Sequence, residues 1–507
     1  MLLREPRIVR QSKAPRSQSI LQGTAFTVAT RWIDRLIGVV STLILARLLV
    51  PADFGIVAMA SLAIALADVM LDLGVNIALI QNRNATSAHF NTAWTLRLVQ
   101  TAFATLVVLV AAPFAADYFH NDHIQPVLQV LAFSILISGF ENIGIIAFQK
   151  EMQFGAEFRF MFMRRIAGFL VTIVAAWVLR SYWALVVGTL VGRVIGVGLS
   201  YAVHPMRPRL SFEKFGEIFS VSQWMLVRGI GGYLQNNLHR MLVGRWSPVS
   251  TMGAYTLADE ISAMPTGELL APLNRVLFPA FAAAAHNPPE LKRLFLLAQG
   301  LQTLIAVPAA AGLALVADET VRLLLGDKWL LVVPFMQVLA LVNIGQALTT
   351  SSGYVLMVLG QFKSSTIGMW LLILVFAALA LTVFAGADAL TIAWLRLTVG
   401  ACAGIALYFW LLVRALPVIR YSDLLGTSIR PLIGAAGMAA VLIFVSPYLQ
   451  LPLAIVLGIK IFLGAASYVA LIMAMWQLAG RPDGAESYLL GNARALLARR
   501  RKTKNGR

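Results

Sequence analysis

Two groups of ionisable residues lie inside stretches that are otherwise apolar. One comprises Arg31, Asp34, Arg35, Asp68, Asp72 and Arg97; the other comprises Arg228, His239, Arg240, Asp259, Glu260, Glu268 and Arg275. Asp68 and Asp72 are four apart, which stacks two carboxylates on one helical face, where they repel unless cations intervene. Arg31 and Arg35 share that spacing, with Asp34 alongside as an intrahelical partner for Arg31. A guanidinium makes paired hydrogen bonds to a carboxylate or a phosphate. The spacing therefore admits two arrangements: an ion-pair knot joining the first helix to the second, or a hydrated, partly cationic cavity that takes up an anion. Arg31, Arg35, Arg97, Arg228, Arg240 and Arg275 are the candidate substrate ligands. Asp34, Asp68, Asp72, Asp259, Glu260 and Glu268 are the candidates for ion pairing or for binding a coupling proton or sodium ion.

Other chemistry is poorly represented. The six histidines form no HExxH or i,i+4 pair, so no metal site is expected. The single Cys402 provides neither a disulfide framework nor a CxxC motif. Gly229-Ile230-Gly231-Gly232 has no preceding strand and is not a dinucleotide fingerprint, and no cofactor is expected. Asn84-Ala85-Thr86 matches a glycosylation sequon but falls on the expected cytoplasmic side. Glu141, Arg193, Arg396 and Lys460 stand alone, as residues that pair structurally or extend their charge toward the interface do. Lys460 is set apart by its place in the last pair of apolar stretches.

These charges must be carried by elements that cross a bilayer. About fourteen apolar stretches of roughly 20 residues each, the length needed for a hydrocarbon core about 30 Å thick, fill residues 21–480. The expected spans are 21–48, 52–80, 88–116, 124–148, 160–179, 182–203, 215–244, 249–281, 291–317, 329–358, 364–386, 389–413, 425–448 and 452–479. Hydrophobic residues make up 59% and charged residues 13% of the chain, too little polar surface to cover a soluble fold. The net charge of +18 is read as membrane topology rather than affinity for nucleic acid, because most of the excess lies in the tails and in alternate joints. The basic joints, with Arg83, Lys150, Arg164, Arg165, Arg207, Lys292, Lys363 and Arg414 among their residues, are expected in the cytoplasm with both termini. The opposite joints keep only Arg47, Arg180, Arg245, Arg322 and Lys328. No cleavable signal is evident near Met1, and no joint could hold a catalytic domain, so an enzyme is not expected.

The expected organisation is an all-α polytopic membrane protein. A basic tail (1–20) precedes an N-terminal lobe (21–210) and a C-terminal lobe (211–416); two appended helices (417–480) and a second basic tail (481–507) follow. Two joints support the division into lobes: Leu45 to Gly55 and Leu242 to Gly253 each place an arginine, a helix-starting proline and a glycine in order. The lobes are read as repeats about an axis along the membrane normal. Gly188, Gly192 and Gly196 form a small-residue face for close helix contact. Gly229, Gly231, Gly232, Pro265 and Pro272 either shape packing or allow bending. Residues 485–502 fit either a basic helix on the cytoplasmic leaflet or a solvated tail.

From Leu45-Ala46-Arg47-Leu48-Leu49-Val50-Pro51-Ala52-Asp53-Phe54-Gly55 through Ile56-Val57-Ala58-Met59-Ala60, the chain resembles polysaccharide transporters of the multidrug/oligosaccharidyl-lipid/polysaccharide exporter superfamily. The likeness continues through Asp72-Leu73-Gly74-Val75 and Gln149-Lys150-Glu151-Met152-Gln153-Phe154 and covers most of the first eight spans. It implies a flippase that moves undecaprenyl-diphosphate-linked oligosaccharide repeat units to the outer leaflet by alternating access, for exopolysaccharide or lipopolysaccharide synthesis. Arg31 and Arg35 match the diphosphate-contacting arginines of related flippases, whereas Asp68 and Asp72 depart from that pattern. The last two spans match a groove for the lipid tail. Membrane lipids and polysaccharide assembly proteins are the further partners implied; nucleic acid is not. An ion-coupled drug exporter of the same superfamily would favour an acidic cavity and usually has twelve spans. A membrane polysaccharide polymerase or glycosyltransferase would need a large external loop or soluble domain.

Overall fold

In a computed structural model of the chain, the described residues are 17–71, 79, 82, 85–151, 153–216 and 223–491. Within a bilayer every backbone N–H and C=O must find a partner along the chain, which drives apolar runs of this length into helices. The described residues contain helices and no strand. The helices are α1 (Ser17–Leu48), α2 (Pro51–Leu71), α3 (Ser87–Phe119), α4 (Ile124–Gly139), α5 (Ile145–Lys150), α6 (Phe154–Leu179), α7 (Trp183–Val203) and α8 (Gln223–Trp246). There follow α9 (Val249–Ala284), α10 (Pro288–Leu315), α11 (Ala317–Leu324), α12 (Val332–Val358), α13 (Phe362–Thr382), α14 (Ala389–Ala415), α15 (Tyr421–Val445) and α16 (Leu453–Leu478). The expected spans coincide with helices where their residues are described, the end of 52–80 and the first part of 215–244 lying outside the described residues; ten of the described helices, against fourteen expected, are long and apolar enough to cross a membrane. The charge-bearing helices α1, α8 and α9 are not among those ten.

Sequence sets the helix ends. Pro51 opens α2, and Pro288 opens α10 behind the Asn287 cap, whose side chain accepts from Glu290 N. Gly360, at φ 73°, turns the chain between α12 and α13 in the left-handed region that glycine enters without strain. The expected span 124–148 is divided: α4 stops at Gly139, and residues 140–144 turn before α5 resumes. Asn142, buried to 1% exposure, satisfies that break. Its backbone N–H donates to Ser200 Oγ, its Nδ2 donates to the His204 and Met206 carbonyls, and its Oδ1 accepts from Gly144 N. α14 contains a π-helical turn at Val399–Gly404, one turn beyond Arg396.

Two compact units divide the chain at 253/254. In the first, Leu45 of α1 and Leu49 just beyond it pack with Ala176 of α6 and Ala184 of α7. α8, expected in the second lobe, packs on α2, where Tyr233 Oη donates to the Leu62 carbonyl at 2.7 Å. In the second unit, Leu277, Phe281, Phe295 and Leu412 form a core joining α9, α10 and α14. The final pair is bound by Met438 and Leu442 of α15 and Tyr468 and Ile472 of α16 against Val307 of α10.

The two matched joints meet. A Cβ on Gly55 would fall on the Val249 carbonyl, and one on Gly253 would fall on the Pro51 carbonyl. Pro51 and Val249 each start a helix and each glycine lies four residues on, so the contact is reciprocal, as in a two-fold interface. Asp53 anchors the first joint, accepting from Val50 N at 3.0 Å and from Tyr182 N at 2.9 Å.

His204, just beyond α7, gives the first unit a pH response. Its Nδ1 accepts from Met206 N at 3.2 Å, and its ring meets Phe148 edge to face. Burial, aided by the Arg207 charge, holds its pKa below the ordinary 6.5. An unfolded chain takes up this proton near 6.5 and the folded one only at lower pH, so the stability contribution is complete above 6.5 and declines as pH falls below it. Melting curves of the detergent-solubilised protein between pH 8 and 5.5 should therefore fall more steeply for the parent than for His204→Gln. Parallel curves would exclude this role.

Candidate functional site

The first unit carries a belt of arginines and carboxylates at a common height. Asp34 Oδ1 on α1 pairs with Arg165 Nε on α6 at 3.1 Å. Both residues lie about 21 Å from the Leu48 and Leu179 ends of their helices at 1.5 Å rise per residue, so α1 and α6 run side by side in register. Arg164, the preceding residue, turns to a different partner: its Nη1 lies 3.2 Å from Glu141 Oε1. The other oxygen of Glu141 accepts from Arg97 Nη2 on α3 at 3.0 Å. Arg97 and Arg164 each lie about 15 Å from the start of their helices, so α3 and α6 meet this carboxylate at one level.

Small residues make this geometry possible. At Gly196 of α7 a Cβ would come within 2.8 Å of Arg164 Cδ, so the arginine stem crosses α7 where there is no side chain. The glycine face expected to permit helix contact does so at Gly192, beside Gly168 of α6, and also seats this arginine. Gly139 packs so tightly on Thr101 that a Cβ there would overlap the hydroxyl, which ends α4 against α3 one turn from Arg97. Glu141 follows in the non-helical break.

The remaining candidates are more dispersed. The side chain of Arg31 and all of Asp72 lie outside the described residues. Arg35 is half-buried on α1, and Asp68 is exposed on α2. Arg228 and Arg240 are half-buried on α8. In the second unit, Asp259 on α9 pairs with Arg396 Nη1 on α14 at 2.8 Å, and both side chains are largely buried. Glu260 and Arg275 are exposed and Glu268 half-buried on α9. Lys460 of α16 pairs with Glu319 of α11, with side chains 8% and 12% exposed. Neutral polar groups fill the space deeper in this unit: Gln302 Nε2 donates to Asn274 Oδ1 at 2.8 Å, and Ser351 Oγ donates to Gln302 Oε1.

Of the expected cavity arginines, Arg97 enters the belt through a direct ion pair. Arg164 and Arg165 count with the basic joints in the sequence because they lie near the start of the expected span 160–179. α6 starts at Phe154, and Phe158, Phe160 and Phe162 around the pair were the signal that the helix begins earlier. Chemically, the belt holds three guanidiniums against two carboxylates, an arrangement suited to a multiply charged anion.

Residues 44–334 match the family described as polysaccharide biosynthesis protein. The chain is similar to the lipopolysaccharide biosynthesis protein WzxC of Escherichia coli (strain K12), with 24% identity over 63% of this chain and 66% of that one. It is also similar to the teichuronic acid biosynthesis protein TuaB of Bacillus subtilis (strain 168), with 25% identity over 58% and 62% of the two chains. The matched region thus spans slightly under two-thirds of these curated relatives. Among solved structures, the lipid II flippase MurJ in an inward closed conformation shares the fold, with a TM-score of 0.72 and 10% identity over 90% of this chain and 100% of that one. An inward-facing MATE multidrug transporter follows at a TM-score of 0.56 and 14% identity over 78% and 96%.

Proposed function

Since the chain belongs to the polysaccharide biosynthesis protein family, and is a multi-pass membrane protein, we propose that it is a flippase moving undecaprenyl-diphosphate-linked oligosaccharide units across the bacterial cytoplasmic membrane by alternating access. The observation carrying this reading is the belt of Asp34, Arg165, Arg164, Glu141 and Arg97 in the first unit, whose arginines all lie on helices apolar enough to span a membrane. A diphosphate and its sugars cannot enter hydrocarbon unaided, and fixed guanidiniums compensate the head group while the polyprenyl chain remains in lipid. The names of two relatives, for lipopolysaccharide and for teichuronic acid biosynthesis, support the substrate class, and the fold is shared with a lipid II flippase.

In this proposal Arg31, Arg35, Arg97, Arg228 and Arg240 of the first unit contact the anionic head group. The nearby carboxylates pair with them or bind the coupling ion. Two lobes and an appended pair form the transport unit, both termini face the cytoplasm, and the protein is a transporter rather than an enzyme. The test is leaflet exchange of a fluorescent lipid-linked oligosaccharide in proteoliposomes. The parent should accelerate exchange, while Arg31→Ala and Arg35→Ala should each slow it roughly tenfold, the loss of one charge-assisted contact worth about 1.5 kcal/mol. A parent without exchange activity ends the flippase reading; variants as fast as the parent move the site elsewhere.

A further inference from the structure

We propose that Arg97 and Arg164 form a diphosphate subsite that Glu141 fills in the unloaded protein, so that the head group binds by displacing an internal carboxylate. This rests on the flippase reading. The two guanidiniums come from separate helices, α3 and α6, and each engages a different oxygen of the carboxylate, at 3.0 and 3.2 Å. One carboxylate against two guanidiniums leaves a positive charge in excess. Next to it, Arg165 is matched by Asp34, so that excess is local to Arg97 and Arg164.

The pair also has unused capacity. A guanidinium carries five N–H donors, and Arg97 and Arg164 each give one hydrogen bond to Glu141. Their side chains are 25% and 34% exposed, against 13% for Glu141, so the open face of the cluster is the arginine face. Two phosphoryl groups supply more acceptors and more charge than one carboxylate, and paired N–H to oxygen contacts favour them further. Both arginines lie within helices apolar enough to span a membrane, which distinguishes them from a basic surface patch.

The carboxylate is placed to leave. Glu141 is in the turn between α4 and α5, where its backbone is held by a Ser138 carbonyl and the side chain can swing without moving a helix. Its release would free the α4–α5 turn from α3 and α6, which the diphosphate would then bridge through Arg97 and Arg164, while the Asp34 to Arg165 pair continues to tie α1 to α6. Head-group binding is thereby linked to a change in which helices are joined.

Calorimetric titration of the full chain in lipid nanodiscs, with farnesyl diphosphate and with inorganic pyrophosphate, tests this. Glu141→Gln keeps the shape and removes the competing charge, so it should bind farnesyl diphosphate roughly tenfold more tightly than the parent. Arg97→Ala and Arg164→Ala should bind it at least about tenfold more weakly. The same order with pyrophosphate would assign recognition to the diphosphate alone; that order with the lipid form only would assign it to the lipid-linked group. A folded Glu141→Gln that binds no more tightly, or an Asp34→Asn that tightens binding equally, overturns the proposal. Should Glu141→Gln fail to fold, Arg97→Lys and Arg164→Lys retain charge without the fork, and undiminished binding in both overturns it as well. Leaflet exchange by the same parent separates the two readings. Exchange without tighter binding in Glu141→Gln removes only the subsite, whereas the full binding order in a parent that does not exchange removes only the flippase.

Discussion

Alanine at Gly55 or Gly253 is expected to destabilise this protein by about 1–3 kcal/mol, the usual cost of forcing extra carbon into a packed site, and toward the upper end of that range. At each position the added Cβ would occupy the space of a carbonyl oxygen, that of Val249 or Pro51, and backbone cannot rotate aside as a flexible side chain can. Both carbonyls belong to the first residue of a helix, so relief requires moving α2 or α9 as a whole. Melting followed by tryptophan fluorescence in detergent should show a clear drop for each variant. Because both substitutions press on the same crossing, the double variant should lose less than the sum of the two. Melting temperatures equal to the parent's would mean the helices do not cross this closely.

The second large effect is expected at Lys460 and Glu319. Removing one partner of a largely buried ion pair leaves the other charge uncompensated, at about 3–5 kcal/mol. Glu319→Gln and Lys460→Met should each lower the melting temperature strongly. The double variant Glu319→Met/Lys460→Met should recover most of the loss, because apolar replacement of a whole buried pair is often neutral. The pair fastens α16 to α11, and Arg430 adds a clamp to Glu486 at 3.1 Å in the helical stretch 485–491 beyond α16. If the double variant is as unstable as either single one, the pair is not what holds α16 in place.

Much of the architecture could be read from the chain because the bilayer imposes one rule on every segment. Apolar runs have to become helices, so most of the expected spans coincide with helices whose described limits lie within a few residues of those expected. The division of 124–148 was not apparent, because it depends on Asn142 finding Ser200, His204 and Met206 far along the chain. The candidate site was legible in type more than in pairing. Asp34 and Arg97 were singled out as buried charges, yet their partners Arg165 and Glu141 come from other helices and a break, and helical spacing reports only neighbours on the same helix. Lys460 is marked by its isolation, but Glu319 falls between the expected spans 291–317 and 329–358. Its helix α11 folds back beside α16, a proximity that no local pattern encodes.

The joint-to-joint crossing also bears on heredity. Gly55 and Gly253 sit at matching places in two stretches that look like copies, and each makes room for the start of the other's helix. A duplicated gene can normally let one copy drift while the other preserves the role. Here neither copy has that freedom, since a side chain at either position closes the same gap. Among related chains the two glycines should persist together or be replaced together, and this pairing should outlast the similarity of the residues around them.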